Sequence, residues 1–213
     1  MISKTIAEIT KSVKIAIDEN DSAGSNSILV ADPDQLQLDE LIRSKIVDAV
    51  RYIHQVAPSH RIDGVTASAT ATISQSGKVT IPLPADFMRI VIFKMTGWTR
   101  PITDPISDTS PLYAMQHSKY TGIKGGSEKP VAAITSVAGQ KVLEGFSSPA
   151  GDSIEKLVYL PVPKIEGTSP NETISICNQL LQPIIYQCAG LVAMTYKDEL
   201  AKSLFEIAQS YLV

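Results

Sequence analysis

Hydrophobic positions near the start of the chain recur every three or four residues, which is the period of an amphipathic helix. Two such stripes precede Pro58, and a polar, Gly-containing loop that begins with ENDSAGSNS separates them. The first stripe comprises Ile2, Ile6, Ile9, Val13 and Ile17, and the second comprises Leu38, Ile42, Ile46, Val50 and Ile53. The pattern predicts two helices, with Asp34 as a candidate N-cap of the second helix and Pro58 as its stop.

The period changes to two at Val65. In VTASATATIS, residues 65–74, small apolar side chains alternate with hydroxyl side chains, which is typical of a strand with one apolar face. The turn QSG and the alternating KVTIPL that follows predict a hairpin with this strand. A third strand is predicted over Phe87–Met95. It is apolar on both faces except at Arg89 and Lys94, so we expect it to be central in its sheet.

A long loop dense in Pro, Gly, Ser and Asp, residues 99–130, follows the third strand. It has room for one short helix near residues 111–117. Three further strands are predicted at VAAITSV, KVLEGF and IEKLVYLPV, and TISIC adds a short seventh strand. Closely spaced short strands of this kind indicate a small antiparallel sandwich or barrel.

The helical period returns after Asn178 and continues to the end of the sequence, with a kink or break expected near residues 196–199. Pro183 fits the first turn of this helix better than its middle.

Because the strands are consecutive and helices flank them, the order predicts an α+β fold. We expect residues 1–64 and 178–213 to pack as a helical bundle. Residues 65–177 would form an inserted antiparallel β-sandwich or barrel-like unit that carries the long loop at 99–130.

The charge of the chain argues against a nucleic-acid-binding surface. Its 213 residues include 19 Lys and Arg against 22 Asp and Glu, scattered without a basic run. Binding to a phosphate backbone needs a concentrated basic face.

No apolar run approaches the roughly 20 residues that span a bilayer, and charged residues interrupt the first segment. The sequence therefore predicts neither a membrane span nor a signal peptide, and we expect the protein to stay in the compartment where it is made.

The cysteines and histidines form no recognisable reactive pattern. Cys177 and Cys188 lack the CxxC or paired-His spacing of a zinc site and are interpreted as small buried hydrophobic residues. If their segment were helical throughout, their separation of eleven positions would place both on one face. His54, His60 and His117 have no nucleophile or metal-ligating residue at a spacing typical of a catalytic pair or a metal site. His54 lies near the end of the second predicted helix, where a cation suits the helix dipole, so we expect a surface or capping role for it rather than a catalytic one.

Other polar clusters are explained by turns and loops. Asp104 and Asp108 could be paired carboxylates, but each lies beside Pro, Ser or Thr, which is the turn chemistry expected of Asp. The glycines and lysines of GIKGGSEKP, residues 122–130, could hold an anion, but the segment lacks the strand-to-helix context of a phosphate loop and is interpreted as a surface loop. No common catalytic or nucleotide-binding motif is present, so no catalytic residue, cofactor or metal is predicted and an enzyme is not expected.

Candidate interface residues lie around the long loop. Trp98, the only tryptophan, and Arg100 follow the third strand at the rim of this loop, as aromatic and Arg anchors of interfaces do. A lone Trp equally often covers its own core. Within the loop, Tyr113, Tyr120 and Lys124 complete the predicted interface set.

Three short motifs occur in a defined order along the chain. An LP-x-DF-x-R entry into an apolar strand is formed by Leu83, Pro84, Asp86, Phe87 and Arg89. A Y-x-P strand follows at Tyr159, Leu160 and Pro161, and an Ala-rich helix closes the sequence at IIYQCAGLVAMTYKDELAKSLFEIAQSYL. With short helices at the start, this order resembles the head–tail connector, or adaptor, proteins of tailed bacteriophages, which are neck and tail-tube-gatekeeper-type subunits that form a ring beneath the portal.

The resemblance implies a non-catalytic structural subunit of the virion neck, made in the host cytoplasm, that links the portal to the tail. Its expected partners are copies of itself in a ring, the portal protein, and tail or second-ring proteins. DNA would at most pass through the channel, and no membrane is involved. We expect the long loop to be a contact arm that orders when it meets the next ring. The alternative hypothesis is a ligand- or host-surface-binding β-sandwich module that binds through GIKGGSEKP and the Pro-rich loop.

Overall fold

The computed structural model describes residues 1–21, 34–120, 122–196 and 198–212 and has the predicted α+β fold. Its helices are α1 (Ile6–Asp21), α2 (Asp34–Val56), α3 (Pro111–Gln116), α4 (Leu181–Tyr196) and α5 (Asp198–Ser210). Its strands are β1 (Ile2–Thr5), β2 (Val65–Thr66), β3 (Thr72–Ile73), β4 (Val79–Pro82), β5 (Phe87–Met95), β6 (Ile106–Ser107), β7 (Val131–Val137), β8 (Gln140–Phe146), β9 (Ile154–Pro161), β10 (Ile165–Glu166) and β11 (Thr173–Ile176). Most of the predicted first loop and the side chain of the candidate cap Asp34 lie outside the described residues.

The chain divides into two compact units. Met1–Asp63 and Pro163–Val213 form one unit, called here the helical unit, and Gly64–Val162 form the other, called here the β unit. The predicted insert ended at residue 177, whereas the β unit ends at Val162. Residues 163–177 fall in the helical unit because β11 lies between β1 and β10 in a three-stranded antiparallel sheet there.

The predicted helical stripes form the core of the helical unit. All five stripe residues of α2 are buried, and so are Ile6, Ile9 and Val13 of α1. Ile2 is not helical, so the predicted start of the first helix is wrong. Residues Ile2–Thr5 pair instead with β11, and the Thr5 hydroxyl then caps α1 by accepting a hydrogen bond from the Glu8 amide at 3.2 Å. Thr followed three residues later by Glu is the sequence signature of such a cap.

The predicted break in the last helix is confirmed, because α4 ends at Tyr196 and α5 begins at Asp198. The two helices pack closely: a Cβ atom built on Gly190 would lie 2.5 Å from Cε1 of Phe205. Tyr186 of α4 also stacks on Tyr211 beyond α5, with ring centroids 5.8 Å apart. Pro183 lies in the first turn of α4, as predicted.

Two sheets share the core of the β unit. One has the strand order β2-β9-β5, and the other has the order β3-β4-β8-β7-β6, in which only β6 and β7 run parallel. The described strands do not close into a barrel. Side chains of both sheets meet in one cluster, which contains Val79, Ile81, Leu83, Phe87, Ile90, Phe93, Met95, Trp98, Ile102, Ala132, Leu143, Leu157 and Tyr159.

The alternating segment of residues 65–74 joins the two sheets. Toward β9, the amide of Ala67 donates to the Leu157 carbonyl at 2.9 Å, whereas toward β4 the amide of Ser74 donates to the Lys78 carbonyl at 2.9 Å. Residues 67–71 between these bonds belong to no strand, so the predicted single strand is two short strands, β2 in one sheet and β3 in the other. Its small apolar residues pack against the same core throughout: Ala67, Ala69, Ala71 and Ile73.

The prediction that Phe87–Met95 is a central strand is wrong, because β5 lies at an edge of its sheet beside β9. Its pairing with β9 shifts between Phe87 and Arg89 and again between Ile90 and Ile92. Each of these two shifts inserts one extra residue in β5, so its buried positions are Phe87, Ile90, Phe93 and Met95, and the first two spacings are three residues instead of two. A bulged strand with one buried face therefore presented the same sequence pattern as a strand buried on both faces.

The long loop of residues 99–130 is joined to both sheets by backbone hydrogen bonds. Ile102 and Phe93 exchange two such bonds, at 2.7 and 2.8 Å, and β6 pairs with β7. The predicted short helix is confirmed as α3. Within the described part of the loop these contacts form inside a single chain.

Candidate interaction surface

One side of α3 is anchored to the rest of the β unit by polar contacts. The Tyr113 hydroxyl donates to Oε2 of Glu144 at 2.9 Å, and the buried Gln116 accepts a hydrogen bond from the Gly125 amide at 2.7 Å. Ser110 caps the start of the helix by accepting from the Leu112 amide. A helix of six residues is too short to be stable alone, so these contacts are what hold it in place.

Glu144 is the buried centre of this anchor. Its other oxygen, Oε1, lies 2.8 Å from Nζ of Lys78, so both carboxylate oxygens have partners. Burial of the phenol and its hydrogen bond to the Glu144 carboxylate raise the pKa of Tyr113 to about 12. The phenol therefore remains a neutral donor across the physiological range.

The opposite side of α3 and the turn after it expose large apolar side chains. Leu112, Met115, Tyr120 and Ile123, called here the α3 patch, are between 46% and 74% exposed. Leu112 and Met115 are three residues apart and share one helix face, and the Ile123 amide donates to the Tyr120 carbonyl in the following turn. Apolar side chains exposed singly are ordinary, whereas four within twelve residues on an anchored segment are typical of a contact surface.

The predicted interface residues divide between the core and the surface. Trp98 is only 2% exposed, packs edge-on against Phe93 with centroids 5.0 Å apart, and lies where a Cβ on Gly145 would be. It is a core residue rather than a surface anchor. Arg100 and Tyr120 are exposed, and Tyr113 and Lys124 are half-buried. Of these five residues only Tyr120 belongs to the α3 patch, because Tyr113 faces Glu144 on the other side of α3. Sequence reasoning missed the other three members, Leu112, Met115 and Ile123, because α3 is too short for a reliable stripe.

The expectation of a surface or capping role for His54 is wrong. His54 is 0% exposed, and its Nε2 atom accepts a hydrogen bond from the Cys177 amide at 3.4 Å. Burial lowers its pKa to about 4, so the ring is neutral at pH 7. His60 and His117 are exposed, and the ring of His117 packs edge-on against Tyr113 with centroids 4.9 Å apart.

Both cysteines are buried and free, which confirms their interpretation as small hydrophobic residues. Cys177 precedes the short 3-10 turn Asn178–Leu180 and Cys188 lies in α4, so they are not on one helix face. Burial raises the pKa of both thiols, that of Cys188 to about 12. Among the described residues, no group of three or more His, Cys, Asp or Glu side chains could hold a metal ion.

The amides of GIKGGSEKP are partly used inside the chain. The Gly125 amide donates to Gln116, and the Gly126 amide donates to the Lys129 carbonyl. These bonds compete with an anion for the same donors and favour the interpretation as a surface loop. Asp104 and Asp108 are exposed, and Asp108 accepts a hydrogen bond from the Ser107 hydroxyl at 3.2 Å.

A groove of about 450 Å³ lies on the helical unit between α1, α2 and the segment before β11. Two ion pairs line it. Arg43 donates to both carboxylate oxygens of Glu172 at 2.7 and 2.8 Å, and Nζ of Lys14 lies 2.6 Å from Oδ1 of Asp39. The Arg43 guanidinium lowers the pKa of the Glu172 carboxyl. Because acidic and basic side chains are matched in these pairs, the groove does not favour a ligand of either charge.

Comparison with known proteins adds no family assignment: no family model matches the chain, and no curated protein matches it significantly. In the part of the chain that the structure describes, none of the helices combines the length and the apolar character needed to cross a bilayer.

Proposed function

We propose that this protein is a structural subunit of a tailed-bacteriophage virion, a ring-forming head–tail adaptor that links the portal to the tail without catalysis. The observation that carries the proposal is the α3 patch, an exposed apolar surface on an anchored segment. The ordered resemblance from Leu83 through Tyr159 to the closing helices supports it. The protein would be made in the host cytoplasm and incorporated at the neck of the virion.

The anchor explains how such a surface would act. Tyr113, Gln116 and the backbone bonds of Ile102 hold the loop in place before any partner arrives. Binding then costs little ordering entropy, since the contact surface is preformed. Each subunit would present the same patch at the same position, and repeated heterologous contacts close into a ring when the rotation between neighbours permits. Portal and tail proteins would bind other faces of the ring, and DNA would pass through its channel.

The first test is the mass of the purified full-length protein in solution, alone and with particles that carry its co-encoded portal protein. We expect a ring-sized species, or recruitment of the chain to such particles. Replacing both Tyr120 and Ile123 with Ser should abolish assembly, because it removes half of the apolar patch. Val137→Ser is the control, since Val137 is an apolar residue of the β unit outside the patch whose exposure lies between those of Ile123 and Tyr120.

A monomer that ignores every such particle would contradict the adaptor proposal. A wild-type ring that the double variant forms equally well would contradict the role of the α3 patch within it.

A further inference from the structure

Strand β8 buries side chains on both faces of its sheet. Its pairing with β7 has no register shift, so successive side chains of β8 point to opposite faces. Leu143 lies in the core cluster that the two sheets share, whereas Glu144 and Phe146 are on the other face, called here the outer face of β8. Glu144 and Phe146 are nevertheless only 5% and 4% exposed, so another part of the chain covers this outer face.

The covering residues are α3 and His117, called here the α3 cover. The ring of Tyr113 lies edge-on to the ring of Phe146, with centroids 6.1 Å apart, and its hydroxyl donates to Glu144 at 2.9 Å. The ring of His117 also lies edge-on to Phe146, with centroids 5.7 Å apart. One phenol and one imidazole ring thus shield the outer face of β8 from solvent.

Polar contacts, more than apolar burial, hold the α3 cover closed. Its two largest aliphatic side chains, Leu112 and Met115, are 53% and 46% exposed. No described residue in the range 103–130 belongs to the core cluster of the β unit. Since a helix of six residues is not stable alone, the loss of a few bonds is enough to release it.

Gly125 latches the end of the α3 cover. Its amide donates at 2.7 Å to Oε1 of Gln116, the last residue of α3, and its carbonyl accepts from the hydroxyl of Ser147, directly after β8. A Cβ atom at this position would lie 2.8 Å from Cγ2 of Val131, so only Gly lets the backbone approach β7 this closely. The end of α3 is therefore joined to the sheet by one side-chain bond through Gly125.

Glu144 keeps a partner when the cover leaves. Its Oε1 atom lies 2.8 Å from Nζ of Lys78, whereas Tyr113 binds Oε2. Departure of Tyr113 exchanges one hydrogen bond for water and does not strand an unpaired carboxylate, which is the most destabilising case. Opening of the cover therefore requires much less free energy than separation of the strands beneath it.

We propose that the α3 cover opens as a unit while β7 and β8 stay paired. Opening breaks the bonds from Tyr113 and Gln116 and brings Glu144 and Phe146 into contact with solvent. The closed state, which presents the α3 patch, predominates, and the open state is a minor population. The proposal concerns a single chain and does not depend on the proposed ring function.

Native-state hydrogen exchange of the full-length chain, resolved by NMR, tests this opening. The His117 amide donates to the Ala114 carbonyl and the Gly125 amide donates to Gln116, and both, called here the cover amides, lose their acceptors when α3 is released. Their protection factors should be at least about a hundredfold lower than those of the amides that pair β7 with β8. Urea below the unfolding transition should accelerate exchange of the strand amides only, because local opening exposes little surface.

Tyr113→Phe tests the cause, because it removes only the hydroxyl that binds β8. It should lower the protection of both cover amides by the same factor, about tenfold, and leave that of β7 and β8 unchanged. Tyr159→Phe is the matched control. The Tyr159 hydroxyl donates to Asp86 at 3.2 Å in another phenol–carboxylate bond of the β unit, so its removal should leave the cover amides unchanged.

Four outcomes would overturn the proposal. Cover amides as protected as those of β8 would show that α3 opens only when the β unit unfolds, and cover amides without protection would show that the closed state does not predominate. A Tyr113→Phe variant that leaves the cover amides unchanged, or that lowers the protection of β7 and β8 equally, would also contradict it. None of these results bears on the ring function, which assembly measures.

Discussion

The imidazole of His54 lies in the core of the helical unit, where it meets the backbone of Cys177. Since Nε2 accepts a hydrogen bond there, the neutral ring carries its proton on Nδ1, and a second proton on Nε2 would break the bond and place a charge in the core. Nearby, Asp63 accepts from the Cys177 thiol through its carbonyl, while its carboxylate lies 3.7 Å from the terminal amine of Met1. No carboxylate hydrogen-bonds to the ring of His54 in the described contacts, so little offsets that charge.

We predict that His54 makes the helical unit less stable in acid. Its pKa is about 4 in the folded chain and near 6.5 when unfolded, so the unfolded state binds more protons between these values. Stability from this residue is present above pH 6.5 and is lost as the pH falls toward 4, by up to about 3 kcal/mol. Urea unfolding followed by helical circular dichroism at pH 7 and pH 4.5 measures the loss.

His54→Gln should flatten this pH dependence, because Gln can still accept from the Cys177 amide but does not titrate. The exposed His60 is the control, and His60→Gln should keep the wild-type pH profile. If His54→Gln also kept the wild-type profile, carboxylates rather than His54 would cause the acid sensitivity.

Among the elements, the packing of α4 against α5 depends on the close approach of the Phe205 ring to Gly190. Ala at position 190 would gain about 1 kcal/mol of helix propensity over Gly, but its Cβ would lie 2.5 and 2.7 Å from ring atoms of Phe205. We predict that the clash dominates and that Gly190→Ala lowers the free energy of unfolding by roughly 1–3 kcal/mol. Denaturant unfolding followed by helical circular dichroism measures it.

A double-mutant cycle identifies the cause. In the background of Phe205→Leu, which replaces the ring with a smaller side chain, the effect of Gly190→Ala should shrink markedly. Thr195→Ala, at an exposed position of the same helix, should be neutral or slightly stabilising. An undiminished loss in the Phe205→Leu background would mean that the strain lies elsewhere.

Elements were predictable from the sequence where one period runs undisturbed. The α2 stripe from Leu38 to Ile53 is buried throughout, and β7, β8 and β9 lie where alternation or apolar runs placed them. Two predictions were wrong: that the first helix begins at Ile2, and that β5 is a central strand. In both cases the pairing of strands determines the structure, and pairing partners lie far away in the sequence. The sequence does not reveal that β11 is available to pair with β1. Nor does it reveal that two bulges change the spacing of buried residues in β5 from two to three.

At the scale of the molecule, the β unit is one continuous stretch of chain with its own core. Its two ends lie side by side, because Val65 pairs with Tyr159 in the sheet. We predict that a fragment comprising residues 64–162 folds alone, since closing these ends requires no other part of the chain. Trp98, buried against Phe93, should then fluoresce at the same short wavelength as in the full chain.

Dispersed amide resonances in the fragment would support the same conclusion independently. Emission at the wavelength of a water-exposed tryptophan, with collapsed resonances, would show that the helical unit is needed to fold the β unit.

The sequence alone determined which residues are apolar, where the periods of helix and strand run, and hence the α+β class, because these patterns depend on neighbours within a few turns of the chain. Only the tertiary structure decided that His54 and Trp98 are buried, that α3 turns Tyr113 inward and the α3 patch outward, and that residues 163–177 join the helical unit. Each of these depends on contacts such as Tyr113 with Glu144 or β1 with β11, between segments that lie far apart in sequence. Such contacts leave no local period in the sequence from which they could be predicted.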